Sequence, residues 1–343
     1  MYQKLQVIFQ VFCNFDVMKH LILLISICMV ISCTEKQQML TQIELPSTKT
    51  ELGKQLFFDP IFSLDQTISC ASCHQPEFAF SDNKALSLGV HDSLGTRNTP
   101  SVMNMASRPY FFHDGRAPSL EAQAIMPVEN PVEMNLAFDK VVQRIQNHNE
   151  YVILFKAIYN SKPNTSNITH ALAEFQRSLE SDGSAPHDLW INDIDTTAMT
   201  ASQQRGRTIF LADEFKCFEC HFGPDFTGDE FRNIGLYDGV TLTDKGRYEI
   251  TKDSTDIGKF KTPGLRNVAL TAPYMHNGQF KTLEDVIDFY SNPYDFVKNP
   301  LNIDSLMVEP LNFSERQKED LVNFLHALTD KQIPYKKTST EKI

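Results

Sequence analysis

The sequence predicts a mainly helical protein built from two similar halves, and three observations predict it. The pentapeptide Cys-x-x-Cys-His occurs twice, as Cys70-Ala71-Ser72-Cys73-His74 and Cys217-Phe218-Glu219-Cys220-His221. A related segment stands ahead of each copy, Gly53-Lys54-Gln55-Leu56-Phe57 and Gly206-Arg207-Thr208-Ile209-Phe210. Helix caps and helical apolar spacing recur along the chain, while strand signals are few.

The elements follow in chain order. Met18-Lys19-His20 precedes the apolar run Leu21 to Ile31 and then Ser32-Cys33. A basic start, an apolar stretch too short to span a bilayer comfortably and a small residue before Cys mark an export signal over 1–32. Val30-Ile31-Ser32-Cys33 resembles a bacterial lipobox, so Cys33 is the expected lipidated residue; an ordinary signal peptide and an uncleaved anchor are the competing readings. In this reading Met18 is the start and residues 33–46 form a tether. Gly53 and Gly206 each sit in an amphipathic helix. Glycine costs helicity there, and close approach to another helix or a cofactor is the expected compensation. Asp139 is the expected cap of a helix through Val142 and Ile145, and Thr169 of one with Leu172, Phe175 and Leu179 inward. Thr282 with Asp285 caps a helix whose Leu283, Val286, Ile287 and Tyr290 share a face. Ser314 with Gln317 forms a capping box before Leu321, Phe324, Leu325 and Leu328. The long polar loops between helices argue for large cofactors as packing centres, since structureless loops of this length are otherwise uncommon.

The pentapeptide is the attachment signal of c-type haem. Two residues between the cysteines let one helical turn present both thiols to the two vinyl groups of a porphyrin, and the adjacent His ligates the iron. A zinc site built from the two pairs would not require the adjoining His, and a thioredoxin-like pair would need a βαβ context that is not visible. Two copies predict two covalent haems, held by Cys70, Cys73 and His74 and by Cys217, Cys220 and His221. Each half then reads as a cytochrome c-like domain, one over 47–190 and the other over 200–333, with a polar linker between and a tail over 334–343. The remaining cysteines, Cys13, Cys28 and Cys33, lie near the N-terminus, so the exported chain keeps no pair for a structural disulfide. A formal charge of -11 argues against nucleic acid and suits either simple solubility or a basic redox partner.

Ordered blocks over about 47–333 then resemble a known family, the bacterial dihaem cytochrome c peroxidases with their MauG-like relatives. The blocks are Leu56-Phe57-Phe58-Asp59-Pro60, Gly95-Thr96-Arg97-Asn98-Thr99-Pro100-Ser101, Asp114-Gly115-Arg116-Ala117, Pro127-Val128 leading to Glu133-Met134, and the run Leu265 to Gly278. The resemblance implies a peroxidase that reduces hydrogen peroxide at the first haem, with electrons from a small cytochrome c or cupredoxin relayed by the second. It implies Glu133 as the base that moves a proton between the peroxide oxygens and Gln123 as the group that orients peroxide; Glu129 is the competing carboxylate. It places His91 where a loop His caps the first iron in many relatives, a solvated loop residue being the other reading. It places Tyr290 at the variable ligand position of the second iron. Better-known peroxidases carry Met there and MauG-like proteins Tyr, and a core Tyr is the third reading. Met275 and Met307 compete for that position. A calcium ion is implied at Asn98, Thr271 and Pro273, unless Asn98 simply holds a turn. His113 stands where relatives carry Trp before Asp-Gly-Arg, so no indole relay exists at that site. The resemblance therefore supports two functions, peroxide reduction or MauG-like oxidation of a partner protein's side chains, in an envelope lipoprotein of periplasmic type that is expected to dimerise; the paired Glu133 and Gln123 argue against a plain electron carrier.

Overall fold

The computed structural model describes residues 45–335. The signal segment, Cys33 and most of the tether and tail lie outside them. The helices are α1 (Lys49–Phe58), α2 (Cys70–Cys73), α3 (Leu120–Glu129), α4 (Phe138–Gln146), α5 (Asn149–Tyr159), α6 (Thr165–Arg177), α7 (Pro186–Ile191), α8 (Ala201–Leu211), α9 (Cys217–Cys220), α10 (Tyr248–Thr251), α11 (Leu283–Ser291) and α12 (Glu315–His326). The strands are β1 (Phe231–Arg232) and β2 (Phe260–Lys261), an antiparallel pair with Phe231 opposite Lys261. The mainly helical class is as expected, and no helix among the described residues is long and apolar enough to cross a membrane.

Side chains that satisfy orphan backbone N–H groups start the helices. Thr48 with Glu51 opens α1, Thr200 with Gln203 opens α8, Thr282 with Asp285 opens α11 and Ser314 with Gln317 opens α12. Two expected caps are corrected. Asp139 lies inside the first turn of α4, whose N-cap is Ala137; the Phe138 N–H is met by Glu129 from 3.1 Å. Thr169 lies within α6, which begins four residues earlier behind an Asn164–Asn167 capping box, and its hydroxyl donates to the Thr165 carbonyl. A threonine bonding back one turn satisfies itself inside a helix, so its presence does not mark a start.

The repeat is a repeat of helix crossings. A Cβ on Gly53 would fall 1.9 Å from the Ala171 carbonyl oxygen of α6, and one on Gly206 would fall 1.8 Å from the Asp320 carbonyl oxygen of α12. Only glycine permits such contact, which compensates its cost in a helix. One turn on, Phe57 packs on Phe175 with ring centres 5.1 Å apart, and Phe210 on Phe324 at 5.2 Å. Two apolar clusters grow from these crossings. One joins Leu52, Leu56, Phe62, Phe155 and Phe175; the other joins Phe210, Phe215, Leu321, Phe324 and Leu328. Ile333 belongs to the first cluster although it follows α12, and Trp190 of α7 packs against the second. Ion pairs tie the halves together. Arg97 reaches Asp114 at 2.6 Å and Asp244 at 2.7 Å, and Arg108 reaches Asp225 and Asp229.

Candidate active site

Both pentapeptides form one helical turn, α2 and α9, which brings the paired cysteines to one side. Burial pushes the Cys70 and Cys217 thiols up to about 12 and Cys73 to about 11, so their surroundings do not favour the thiolate. Nor do the four cysteines gather: no cluster of His, Cys, Asp or Glu able to hold a metal occurs among the described residues.

The histidines are held alike. His74 donates its Nδ1–H to the Phe80 carbonyl at 3.0 Å, and His221 its Nδ1–H to the Phe226 carbonyl at 2.9 Å. A carbonyl only accepts, so Nδ1 carries the hydrogen and Nε2 is the ligand atom. Burial lowers the proton affinity of both imidazoles, as a metal ligand requires. Phe80 and Phe226 both adopt a left-handed backbone, with φ of 58° and 56°. The next residue locks each turn: Ser81 donates to the Thr99 carbonyl at 2.6 Å and Thr227 to the Thr262 carbonyl at 2.7 Å. Each carbonyl precedes a proline, Pro100 or Pro263. Two thiols on one turn, an oriented imidazole and apolar walls fit a covalent haem in both halves.

The opposite faces differ. In the first half α3 ends in a turn in which Met134 N–H donates to the carbonyl of Pro127, placing Glu133 half-buried. Asn130 donates to Glu133 Oε1 at 2.7 Å. Burial raises the proton affinity of Glu133, opposed by the Arg116 charge and by Asn130. The charge of Glu133 in turn acts on the Cys73 thiol, so the carboxylate is close to the attachment site. Glu129, the competitor, is exposed and occupied in holding the start of α4. Gln123 is half-buried on α3, and its side-chain amide makes no hydrogen bond to the described residues. His91 lies on the surface, 65% exposed, with Nδ1 3.8 Å from Asp65 Oδ2. Its loop nevertheless touches Glu133: the Val90 N–H donates to the Glu133 carbonyl at 2.8 Å.

Beside the second motif a large, mostly apolar cavity, lined from both halves, includes Cys217, Cys220 and His221 together with Leu283, Val286, Ile287 and Tyr290 of α11. The expected face of α11 is therefore the cavity wall. Burial raises the Tyr290 hydroxyl well above its ordinary range, with the nearby Cys220 and Cys217 adding to it. Met275 and Met307 line the same cavity. So do Asn98, Thr271 and Pro273, the proposed calcium ligands; the Asn98 amide N–H donates to the Lys84 and Ala85 carbonyls. His113 also faces the cavity, and its Nε2–H donates to the Asn98 carbonyl at 2.9 Å. Burial, chiefly, pulls His113 down to about 4 and His276 to about 3, so both are neutral.

Sequence reasoning missed Phe80, Phe226, Ser81, Thr227 and the two Thr-Pro carbonyls. A faint signal exists, since Phe-Ser and Thr-Pro after the first motif are matched by Phe-Thr and Thr-Pro after the second. It also missed Arg116 and Asn130 beside Glu133.

Comparison with known proteins points to one family. The model of the family described as "Di-haem cytochrome c peroxidase" matches residues 47–196. Methylamine utilization protein MauG of Methylorubrum extorquens is 40% identical over 288 residues, covering 83% of this chain and 79% of that protein. Cytochrome c peroxidase Ccp of Escherichia coli is 35% identical over 293 residues, covering 84% of this chain but 59% of that longer protein. Among solved structures, a MauG-like protein associated with microbial copper homeostasis superposes with a TM-score of 0.76 at 30% identity, over 84% of this chain and 91% of that one.

Proposed function

We propose a function on one premise: the chain belongs to the di-haem cytochrome c peroxidase family. It reduces hydrogen peroxide to two waters, taking two electrons and two protons, with the electrons supplied singly by a small cytochrome c or cupredoxin. The observation that carries this reading is the placement of Glu133, which is half-buried, oriented by Asn130 and near Cys73, while Glu129 is committed to a helix start.

The two haems, each held in its own cytochrome c-like domain, supply the peroxide-binding iron and the storage of oxidising equivalents when bound. The chain's residues manage the proton. Glu133 takes it from one peroxide oxygen and returns it to the leaving oxygen, which favours cleavage of the O–O bond. Gln123 has its amide uncommitted and is suited to orienting peroxide. Arg116, fixed by Asp114 at 3.0 Å and stacked 3.6 Å over the Phe112 ring, keeps Glu133 from becoming too basic to release the proton. A capping role for His91 requires its turn to rearrange, since His91 and Asp92 are both left-handed and His91 is exposed.

Tyr290 on the cavity wall favours a second reading, in which the oxidising equivalents are passed to side chains of a partner protein. Tyr290 as ligand favours ferric iron and a low potential, whereas Met275 or Met307 would raise it. The remaining parts of the proposal are a calcium ion at Asn98, Thr271 and Pro273, an envelope location through lipid on Cys33, and a dimer. Steady-state consumption of H2O2 with reduced cytochrome c tests the first reading: rapid turnover is expected, and its absence in protein holding two haems overturns it in favour of the second.

A further inference from the structure

Behind the two haem-binding histidines each left-handed Phe sits on a similar pair of rings, and what distinguishes the second is a histidine. Phe80 meets Phe57 and Phe175 edge-on, with ring centres 6.2 and 6.4 Å away. Phe226 meets Phe210 and Phe324 in the same way, at 5.9 and 6.1 Å. Phe226 alone carries a third ring, His187 of α7, edge-to-face at 5.3 Å and 72°. Among the described residues no third aromatic ring packs on Phe80.

His187 is buried and clamped. Its backbone N–H donates to the Ala327 carbonyl at 3.0 Å, just past α12. Its Nε2 accepts from Arg207 Nε at 3.3 Å, so its hydrogen is on Nδ1. That Nδ1 faces Asp188 Oδ1 from 3.6 Å, and the Asp188 carboxylate accepts from Arg266. The His187 ring presses on a residue that needs support, because a non-glycine aromatic at φ 56° is held there by its surroundings.

We propose that His187 is a positioning residue for the second haem: its clamped ring holds Phe226 in the left-handed conformation and so fixes the carbonyl that accepts the His221 Nδ1–H. The strength of that hydrogen bond sets how strongly the imidazole donates to iron, and with it the potential of that haem. His187 thereby gives the second haem a setting the first lacks. The proposal rests on the two-haem reading and is indifferent to whether peroxide or a partner protein is the final substrate.

The test is an optical redox titration of the intact holoprotein and of His187→Leu, His187→Phe and Phe226→Leu, with haem stoichiometry measured on the same samples. In His187→Leu the midpoint of the second haem is expected to rise while that of the first stays put. His187→Phe restores a ring and is expected to match the parent. Phe226→Leu removes the ring His187 supports and is expected to move the second haem as His187→Leu does; it keeps the test decisive if His187→Leu does not fold. An unchanged second-haem potential in either leucine variant, an equal displacement of both haems, or a His187→Phe shift as large as that of His187→Leu overturns the proposal. A stoichiometry of one haem per parent chain overturns instead the two-haem reading beneath it.

Discussion

The first and second halves share one proximal construction and differ on their distal faces. In both, a glycine-mediated helix crossing supports an aromatic cluster, a left-handed Phe presents its carbonyl to the haem histidine, and a hydroxyl locks the turn onto a Thr-Pro segment. Near Cys73 lies a polar group of Glu133, Asn130 and Arg116; with Cys217 and Cys220 the apolar face of α11, including Tyr290, lines one cavity. The attachment turn is thus one construction used twice, and the halves differ in the residues gathered beyond it.

The largest expected effect comes from removing the base. Glu133→Gln should retain both haems and lower peroxide turnover ~10²–10⁴-fold. Near-normal turnover would remove Glu133 from the mechanism and erase the main difference between the halves. The pH profile sharpens the same point. Burial raises Glu133 above its ordinary carboxylate value, and the ionised form is the working one, so turnover in the parent should fall as pH drops through that raised value; the variant should lose this acid limb.

Tyr290→Met is next. It should move the second haem toward a higher potential, by a fraction of the ~0.8 V that axial ligation spans, and leave the first unchanged. A ferric spectrum of the parent that already shows methionine ligation would sink the Tyr290 assignment. The glycine crossings then test the likeness rather than the difference. Gly53→Ala and Gly206→Ala should each destabilise the holoprotein by ~1–3 kcal/mol or more, since each Cβ meets a backbone carbonyl that cannot swing away. Denaturant unfolding that shows one variant unaffected would break the equivalence of the halves.

Smaller still is Glu129→Ala, which removes the acceptor at the start of α4 and should cost about 1 kcal/mol with turnover unchanged; lost turnover would make Glu129, not Glu133, the base. Asp188 offers the smallest effect. Burial raises its carboxyl, but His187 and Arg266 outweigh that and hold it at about 2. The folded value lies below the ordinary 3.8, so its contribution is full above that pH and is lost as pH falls toward 2. Acid unfolding of Asp188→Asn should show a shallower loss of stability in that window.

Much of this is legible in the sequence alone, and the reason is locality. Cys-x-x-Cys-His carries its chemistry within five residues. The capping boxes of α11 and α12 need four, and the inward face of α11 follows from helical spacing alone. Asp139 and Thr169 were misread because a residue able to cap is equally stable inside a first turn or bonded back one turn, and the choice is made by what packs nearby. Glu129 and Glu133 are both acidic residues four apart; the α4 backbone that claims one and the burial that retunes the other come from the fold. Trp190 and His187 read as the end of the first half, yet α7 packs on the second, because contacts across the chain outweigh position along it.

The sequence by itself determined that this protein is mainly helical, repeats one attachment motif and belongs among the dihaem peroxidases, since covalent chemistry and helix starts are encoded in short, contiguous signals. Only the tertiary structure decided which carboxylate holds a helix start and which is half-buried, why glycine occupies two helix centres, how two Phe carbonyls orient the haem histidines and where His187 presses, since each is a contact between residues that come together only when the chain folds.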